Sequence, residues 1–333
     1  MHVWTADQAW EWYEKTPWQV GFNYVTSTAV NSTEMWQEES FDEETVRREL
    51  RWAALRGYNS VRVFLPYIVW EVEGDIFLHK FDLFLEIAEQ NGLSVLPILF
   101  DDCAFDGGKD PYYGKQLEPI PGRHNGRWTP SPGFNCADDL KKQPMLRSYV
   151  HAVIGAHAND KRILAWDLYN EPGQAAGRKN KSLPLLVNTF TWARECDPKQ
   201  PLTSGPYRTG VYDSTFHAMM ELSDIISFHS YDKAEDTVSK WLEPLEKYNK
   251  PMFVTEWLCR QRNNTMFTHL PIWAEKKISC WNWGLVFGKT QTYLWNGEDN
   301  KCEPWQHDML RPDGTPYCPE EFELIRELRK KYS

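Results

Sequence analysis

Nothing in this chain approaches the roughly 20 consecutive apolar residues that a bilayer-spanning helix needs, so no membrane partner is expected. Positive charge is also scarce. Lys and Arg number 37 against 47 Asp and Glu, a formal net charge of -10. Binding a phosphate backbone relies on clustered cations, so no nucleic-acid partner is expected either. The seven cysteines (103, 136, 196, 259, 280, 302 and 318) include no Cys-x-x-Cys pair and no zinc-ligand spacing. An odd number cannot pair completely within one chain. Most are therefore expected reduced and buried, with Cys302 and Cys318, in a loop-rich region, able to form a bridge. The N-terminus, Met1-His2-Val3-Trp4-Thr5, lacks a basic segment followed by an apolar one. That pattern fits an intracellular chain, or one from which a signal peptide has been removed. A Pro/Ser-rich linker and a shift in composition are absent too, so residues 1–333 read as one domain.

What the chain has in excess is tryptophan, 17 residues of 333. Indole faces stack on the apolar faces of sugar rings while the ring N–H still reaches a hydroxyl. Single tryptophans fill cores; the excess as a set favours a carbohydrate partner. More informative still are two glutamates that close apolar runs, in Trp166-Asp167-Leu168-Tyr169-Asn170-Glu171-Pro172 and in Pro251-Met252-Phe253-Val254-Thr255-Glu256-Trp257. An ionisable carboxylate at the end of a core-type strand is costly to bury and rarely placed there for stability. Two of them suggest a pair of carboxyl groups facing one cavity, which is what glycosidic bond cleavage needs.

Apolar runs alternate with amphipathic helical stretches along nearly the whole chain, the pattern of an α/β fold with a parallel sheet. Candidate strands are 19–25, 60–66, 94–100, 163–169, 202–206, 225–231, 252–257 and 278–285. Eight strands, each followed by a helical pattern, match the count of a single (β/α)8 barrel. The first crossover shows the punctuation: Asp42 is placed to cap a helix carrying Val46, Leu50, Ala53 and Ala54 at helical spacing, and Gly57 follows as its stop. The next helix is expected over 80–90, ending at Gly92. Two connections are long, 101–143 and 286–319, and are rich in Gly, Pro and aromatic residues. Loops after strand C-termini build the active-site face of such a barrel, so these two are expected to wall a sugar pocket.

On these residues the chain resembles the clan of (β/α)8 retaining glycoside hydrolases that includes family 5 cellulases, mannanases and xylanases. That clan carries Asn-Glu after its fourth strand and Glu after its seventh; here these are Asn170-Glu171 and Glu256. Arg62 in the second candidate strand, His229 and Tyr231 in the sixth and Trp283 in the eighth fall into the same register. The stretches Gly21-Phe22-Asn23-Tyr24 to Glu34-Met35-Trp36 and Trp283-Gly284-Leu285 to Gly288-Lys289-Thr290-Gln291-Thr292 resemble a cellulase-like subgroup often labelled 1,4-β-xylanase.

The resemblance implies that Glu171 is the general acid/base and Glu256 the nucleophile of a double displacement, with no metal or other cofactor. It implies that Asn170 bonds the sugar 2-hydroxyl and that Trp283 floors the subsite of the cleaved sugar. Trp281 shares the strand face of Trp283, which leaves open which of them stacks. Arg62 sits between Val61 and Val63; a buried guanidinium needs a carboxylate partner and would hold Glu256 ionised. Tyr231 could donate to the nucleophile and His229 could orient the acid or a sugar hydroxyl. Further sugar contacts are expected among Asn23, Trp36, Asp101, Asp102, His124, Lys289, Gln291 and His307, which lie near strand ends or in the long loops. One departure from the subgroup is Pro66, where its relatives would carry His; this bears on substrate choice and leaves the two glutamates untouched.

Other classes make different demands. A metal-dependent barrel hydrolase would use Asp101, Asp102, His124 and His229, but no His-x-His follows the first candidate strand and only 9 His are present. A non-catalytic carbohydrate-binding barrel would be marked by loss of either glutamate, and both are present. Within the hydrolase reading, the two long loops favour a closed pocket and exo-action over endo-action of the xylanase, mannanase or cellulase type.

Overall fold

The apolar runs form eight parallel strands in the computed structural model, which describes residues 2–332 except 176, 209, 211–212 and 298–300. In chain order they are β1 (Val20–Tyr24), β2 (Ser60–Phe64), β3 (Ser94–Asp101) and β4 (Trp166–Asn170), then β5 (Leu202–Thr203), β6 (Ile226–His229), β7 (Met252–Trp257) and β8 (Ser279–Asn282). Each falls on one candidate run. They pair in the order β5-β4-β3-β2-β1-β8-β7-β6. The seam between β5 and β6 is bridged by Asp224 N donating to Leu202 O at 2.8 Å and His229 N to Pro206 O at 3.3 Å. The result is a nearly closed (β/α)8 barrel, because a strand buried on both faces needs a helix outside and neighbours on either side.

The crossover helices obey the expected punctuation. Asp42 accepts the Thr45 N–H at 3.0 Å at the start of the helix Glu43–Leu55, and Gly57 takes φ 103° beyond its end. The helix expected over 80–90 starts earlier, spanning Asp75–Gln90. One further helix, Ala6–Glu14, was not anticipated. Thr5 and Gln8 form its capping box, and its Ala9 and Tyr13 pack on Leu96, Ala165, Ile225, Phe253 and Trp281. It plugs the barrel mouth at the N-terminal ends of the strands.

Trp281 belongs to that plug. Its indole is fully buried, donates to Ser60 Oγ at 3.0 Å, and lies so close to Gly21 that a Cβ there would stand 2.3 Å from Trp281 Cδ1. Burial at the opposite mouth removes Trp281 from the sugar-stacking role left open by its shared face with Trp283. All seven cysteines are free, so Cys302 and Cys318 are not bridged. No helix among the described residues is long and apolar enough to cross a membrane.

At the other mouth the two long connections meet. Asn125 N donates to Thr290 O at 2.8 Å, Gln291 Nε2 to Ile120 O at 2.7 Å, and Gly122 N to Gln291 Oε1 at 3.1 Å. The loops after β3 and β8 thus clasp each other over one side of the barrel.

Candidate active site

The site is organised around Arg62, a fully buried guanidinium on β2. Its Nη1 donates to Asn23 Oδ1 at 2.6 Å and to Glu256 Oε1 at 2.9 Å. Its Nη2 donates to Asn170 Oδ1 at 2.6 Å and to Asp167 Oδ2 at 2.7 Å, and Nε reaches the same Asp167 oxygen at 3.1 Å. A planar five-donor fork is suited to such simultaneous contacts. Arg62 therefore ties β1, β4 and β7 together at the height of the two glutamates.

Glu256 closes β7. Beyond the Arg62 contact, its Oε2 accepts from Tyr231 Oη at 2.9 Å. Burial raises its pKa, as does the nearby Glu171, against the charges of His229 and Arg62 and the Arg62 hydrogen bond. Burial also pushes His229 down to about 4. At neutral pH the imidazole is then uncharged, and Arg62 with Tyr231 is what favours the Glu256 carboxylate.

Glu171 follows β4 in the left-handed region, with φ 46°. Such a conformation in a non-glycine residue costs of the order of 1–3 kcal/mol and persists only when its surroundings hold it. Here Glu171 N donates to Gly205 O at 3.0 Å, while Asp102 accepts Gly173 N at 2.6 Å, Tyr169 Oη at 2.7 Å and the Ser182 hydroxyl. The carboxyl group takes His229 Nδ1 on Oε1 at 2.6 Å and Cys103 Sγ on Oε2 at 3.0 Å. Burial pushes its pKa up to about 7, opposed by the Cys103 contact and the Arg62 charge. One oxygen of Glu171 lies within 4.8 Å of one oxygen of Glu256.

The glutamates face a cavity of about 210 Å³. Phe64, Phe105, Trp128 and Trp283 supply aromatic surface, with Trp128 and Trp283 edge to face at 5.9 Å. Tyr231, His124, Gln306 and His307 supply polar groups. Of the expected site residues, Glu171, Glu256, Asn170, Tyr231, Trp283, His124 and His307 line this space. Arg62, Asn23, Asp101 and His229 stand behind the wall. Asn23 holds Arg62 and donates to Thr255 O at 2.8 Å. Asp101, pushed up to about 7 by burial, accepts Asn170 Nδ2 at 2.8 Å and Trp128 Nε1 at 2.7 Å. These four position other side chains and do not line this cavity.

Trp36 is placed elsewhere. It is fully buried, donates to Phe64 O at 2.7 Å, and packs among Phe41, Phe77, Phe81 and Phe84. Lys289 pairs with Glu34 at 3.4 Å, and Gln291 serves the loop clasp. Pro66 also lies off the cavity wall, leading into the helix Tyr67–Glu73. Sequence reasoning missed Asp167, Cys103, Phe105, Trp128 and Tyr207. Trp128 had a signal, as a tryptophan in a loop expected to form a wall; Cys103 had none.

Asp101, Asp102, His124 and His229 do not form a cluster of metal-ligand donors among the described residues. Two other groups come close enough. In Asp82, His157 and Asp160, both carboxylates are taken by Arg162, at 2.9 Å and 2.5 Å. In Glu171, His229 and Glu256, all four carboxyl oxygens already have protein partners: Arg62, Tyr231, His229 and Cys103.

Residues 154–315, just under half of the chain and including both glutamates, match the family model described as glycosyl hydrolase catalytic core. No curated protein matches the chain in sequence. Among solved structures it is similar to a GH5_18 variant from Streptomyces cattleya in complex with Manb1-4GlcNAc. That likeness has 13% identity and TM-score 0.65, covering 96% of this chain and 81% of that one. The endo-beta-1,4-mannanase from Thermotoga petrophila has 14% identity and TM-score 0.62, with 96% and 78% covered. The exo-beta-1,4-mannosidase Op5Man5 from Opitutaceae bacterium strain TAV5 has 16% identity and TM-score 0.64, with 98% and 60% covered. At these identities the structural likeness is one of fold. The catalytic-core match and the eight-stranded barrel support the resemblance to the (β/α)8 glycoside hydrolase clan.

Proposed function

We propose that this protein is a retaining β-glycosidase of the family 5 type, with Glu256 as nucleophile and Glu171 as acid/base. The observation that carries this is the carboxyl pair: oxygens within 4.8 Å of each other, one group bonded to a guanidinium and the other held only by neutral partners. Retaining chemistry places its two carboxyl groups about 5–5.5 Å apart, while inverting chemistry leaves room for a water between them. The unequal surroundings divide the labour. Arg62 and Tyr231 favour an ionised Glu256, and burial keeps Glu171 protonated to about pH 7.

In the first step a Glu256 oxygen bonds to the anomeric carbon as the glycosidic bond breaks, and the departing oxygen takes the Glu171 proton. In the second, water attacks the anomeric carbon, gives its proton to Glu171 and releases Glu256. Asn170, fixed from both sides by Arg62 and Asp101, presents itself to the sugar beside the bond cleaved. The clasp between the loops after β3 and β8 supports a pocket closed on one side, and hence attack at a chain end.

The test is hydrolysis of aryl β-glycosides and oligosaccharides, with β-mannosides and β-glucosides foremost, by wild type, Glu256→Ala and Glu171→Ala, with and without azide. Both variants lose at least about a thousandfold in kcat on natural linkages. Azide restores Glu171→Ala, giving a β-glycosyl azide, and wild-type kcat/KM declines above about pH 7 as Glu171 deprotonates. Turnover that survives both substitutions places the chemistry elsewhere.

A further inference from the structure

The least expected neighbour of the carboxyl pair is a thiol. Cys103 lies two residues past β3, its N–H bonded to Asp101 Oδ1 at 2.9 Å, and that carboxyl is itself fixed by Trp128 and Asn170. Its sulfur stands 3.0 Å from Glu171 Oε2 and 3.5 Å from Asn170 Nδ2, and the side chain lines the cavity. No other protein donor meets that oxygen among the described residues.

The proton of Glu171 can be located from the other side of the group. His229 Nε2 is buried with no hydrogen-bond partner among the described residues, in a space so tight that a Cβ on Gly205 would stand 2.8 Å from it. An orphaned N–H there is costlier than an orphaned lone pair. The imidazole proton therefore sits on Nδ1 and is donated to Glu171 Oε1. Oε1 is occupied as an acceptor, so the proton that Glu171 delivers is carried by Oε2, the oxygen beside Cys103.

We propose that Cys103 is the positioning residue of the acid/base, its thiol holding Glu171 Oε2 toward the cavity through a contact that favours the ionised form less than a hydroxyl in its place would. This rests on the reading of Glu171 as acid/base. A sulfhydryl is a poor donor. A hydroxyl in its place would favour the carboxylate and draw the proton off at lower pH; a methyl would remove that donor to Oε2 and do the reverse. The other titratable groups that act on Glu171 are Arg62, Asp101, His229, Glu256, Tyr207 and Tyr231. All remain in Cys103 variants, so a shift isolates the thiol.

The experiment is a carbon-13 NMR titration of the glutamate carboxyls in the free protein, with Glu171→Gln identifying the resonance. Wild type, Cys103→Ser and Cys103→Ala are compared, each checked for folding by thermal melt. Cys103→Ser lowers the Glu171 pKa and Cys103→Ala raises it, each by about half a unit or more. In kinetics, Cys103→Ala lowers the ratio of kcat/KM for a 4-nitrophenyl over a 2,4-dinitrophenyl glycoside by about tenfold, because only the poorer leaving group needs a proton. Shifts of one sign in both variants, or no shift, overturn the proposal. The same ratio in Glu171→Ala separates the two readings. If it is unchanged there, Glu171 is not the acid; if it falls there while the Cys103 titrations coincide with wild type, only the role of Cys103 fails.

Discussion

Arg62 shows how much of a site a single buried residue can determine. Its donors contact Asn23, Asp167, Asn170 and Glu256, and none of these contacts is open to solvent. Lysine would keep the charge but offers one nitrogen, which cannot span four partners on three other strands. Arg62→Lys is expected to lose about a hundredfold in kcat/KM, the scale seen when one preorganised donor is removed. Its melting temperature should also fall, because Asp167 stays buried with a poorer partner. Activity within about threefold of wild type would mean that Glu256 is oriented without the guanidinium. That Arg62 is buried and needs a carboxylate was legible in the run Val61-Arg62-Val63. Asp167 as the second carboxylate was not, because an acidic residue inside an apolar strand looks the same whether it faces an arginine or solvent.

Among elements, strand positions were the legible part, since eight apolar runs became eight strands. The direction each residue faces was not. A barrel strand is buried toward both the interior and the helices, so its alternation contrasts one apolar face with another and does not mark which points up into a cavity. Trp281 and Trp283 share a face and a spacing, yet one seals the lower mouth and the other lines the site. Cavity walls built from loops were legible as regions only, because turn chemistry does not encode which side chain returns over the barrel. The loop clasp itself is testable. Gln291 joins the two loops through both ends of its amide, to Ile120 O and Gly122 N. Gln291→Ala should leave the fold intact, lower the melting temperature by only about 1–3 °C, and raise activity on polymeric substrate relative to a disaccharide as the closed side opens. An unchanged product size distribution would mean that the clasp does not limit chain length.

For the molecule as a whole, buried titratable groups set opposing dependences of stability on pH. Burial pushes Asp101, Glu171 and Asp308 up to about 7, so the folded state holds protons that an unfolded chain releases near pH 4. Their contribution is fully present at low pH and is lost as pH rises through 7. Burial pushes His124, His229 and His269 down to about 4, so their contribution is lost as pH falls from about 6.5 toward 4. Between about pH 4.5 and 6.5 the two sets act against each other; above that only the carboxyls continue to change. Asp308 isolates the carboxyl effect without touching the glutamate pair. Its Oδ1 accepts Thr292 Oγ1 at 2.8 Å, and its Oδ2 is buried with no partner among the described residues. Asn keeps the shape and cannot ionise. An amide nitrogen in that dry position carries a penalty of its own, but one that does not vary with pH. The informative quantity is therefore the difference in melting temperature between Asp308→Asn and wild type at two pH values. It should move in favour of the variant by about 2–5 °C between about pH 5 and about pH 8, as wild type is forced to bury a charge and the variant is not. A difference that stays flat over that interval would mean that Asp308 is already ionised in the folded protein at pH 5.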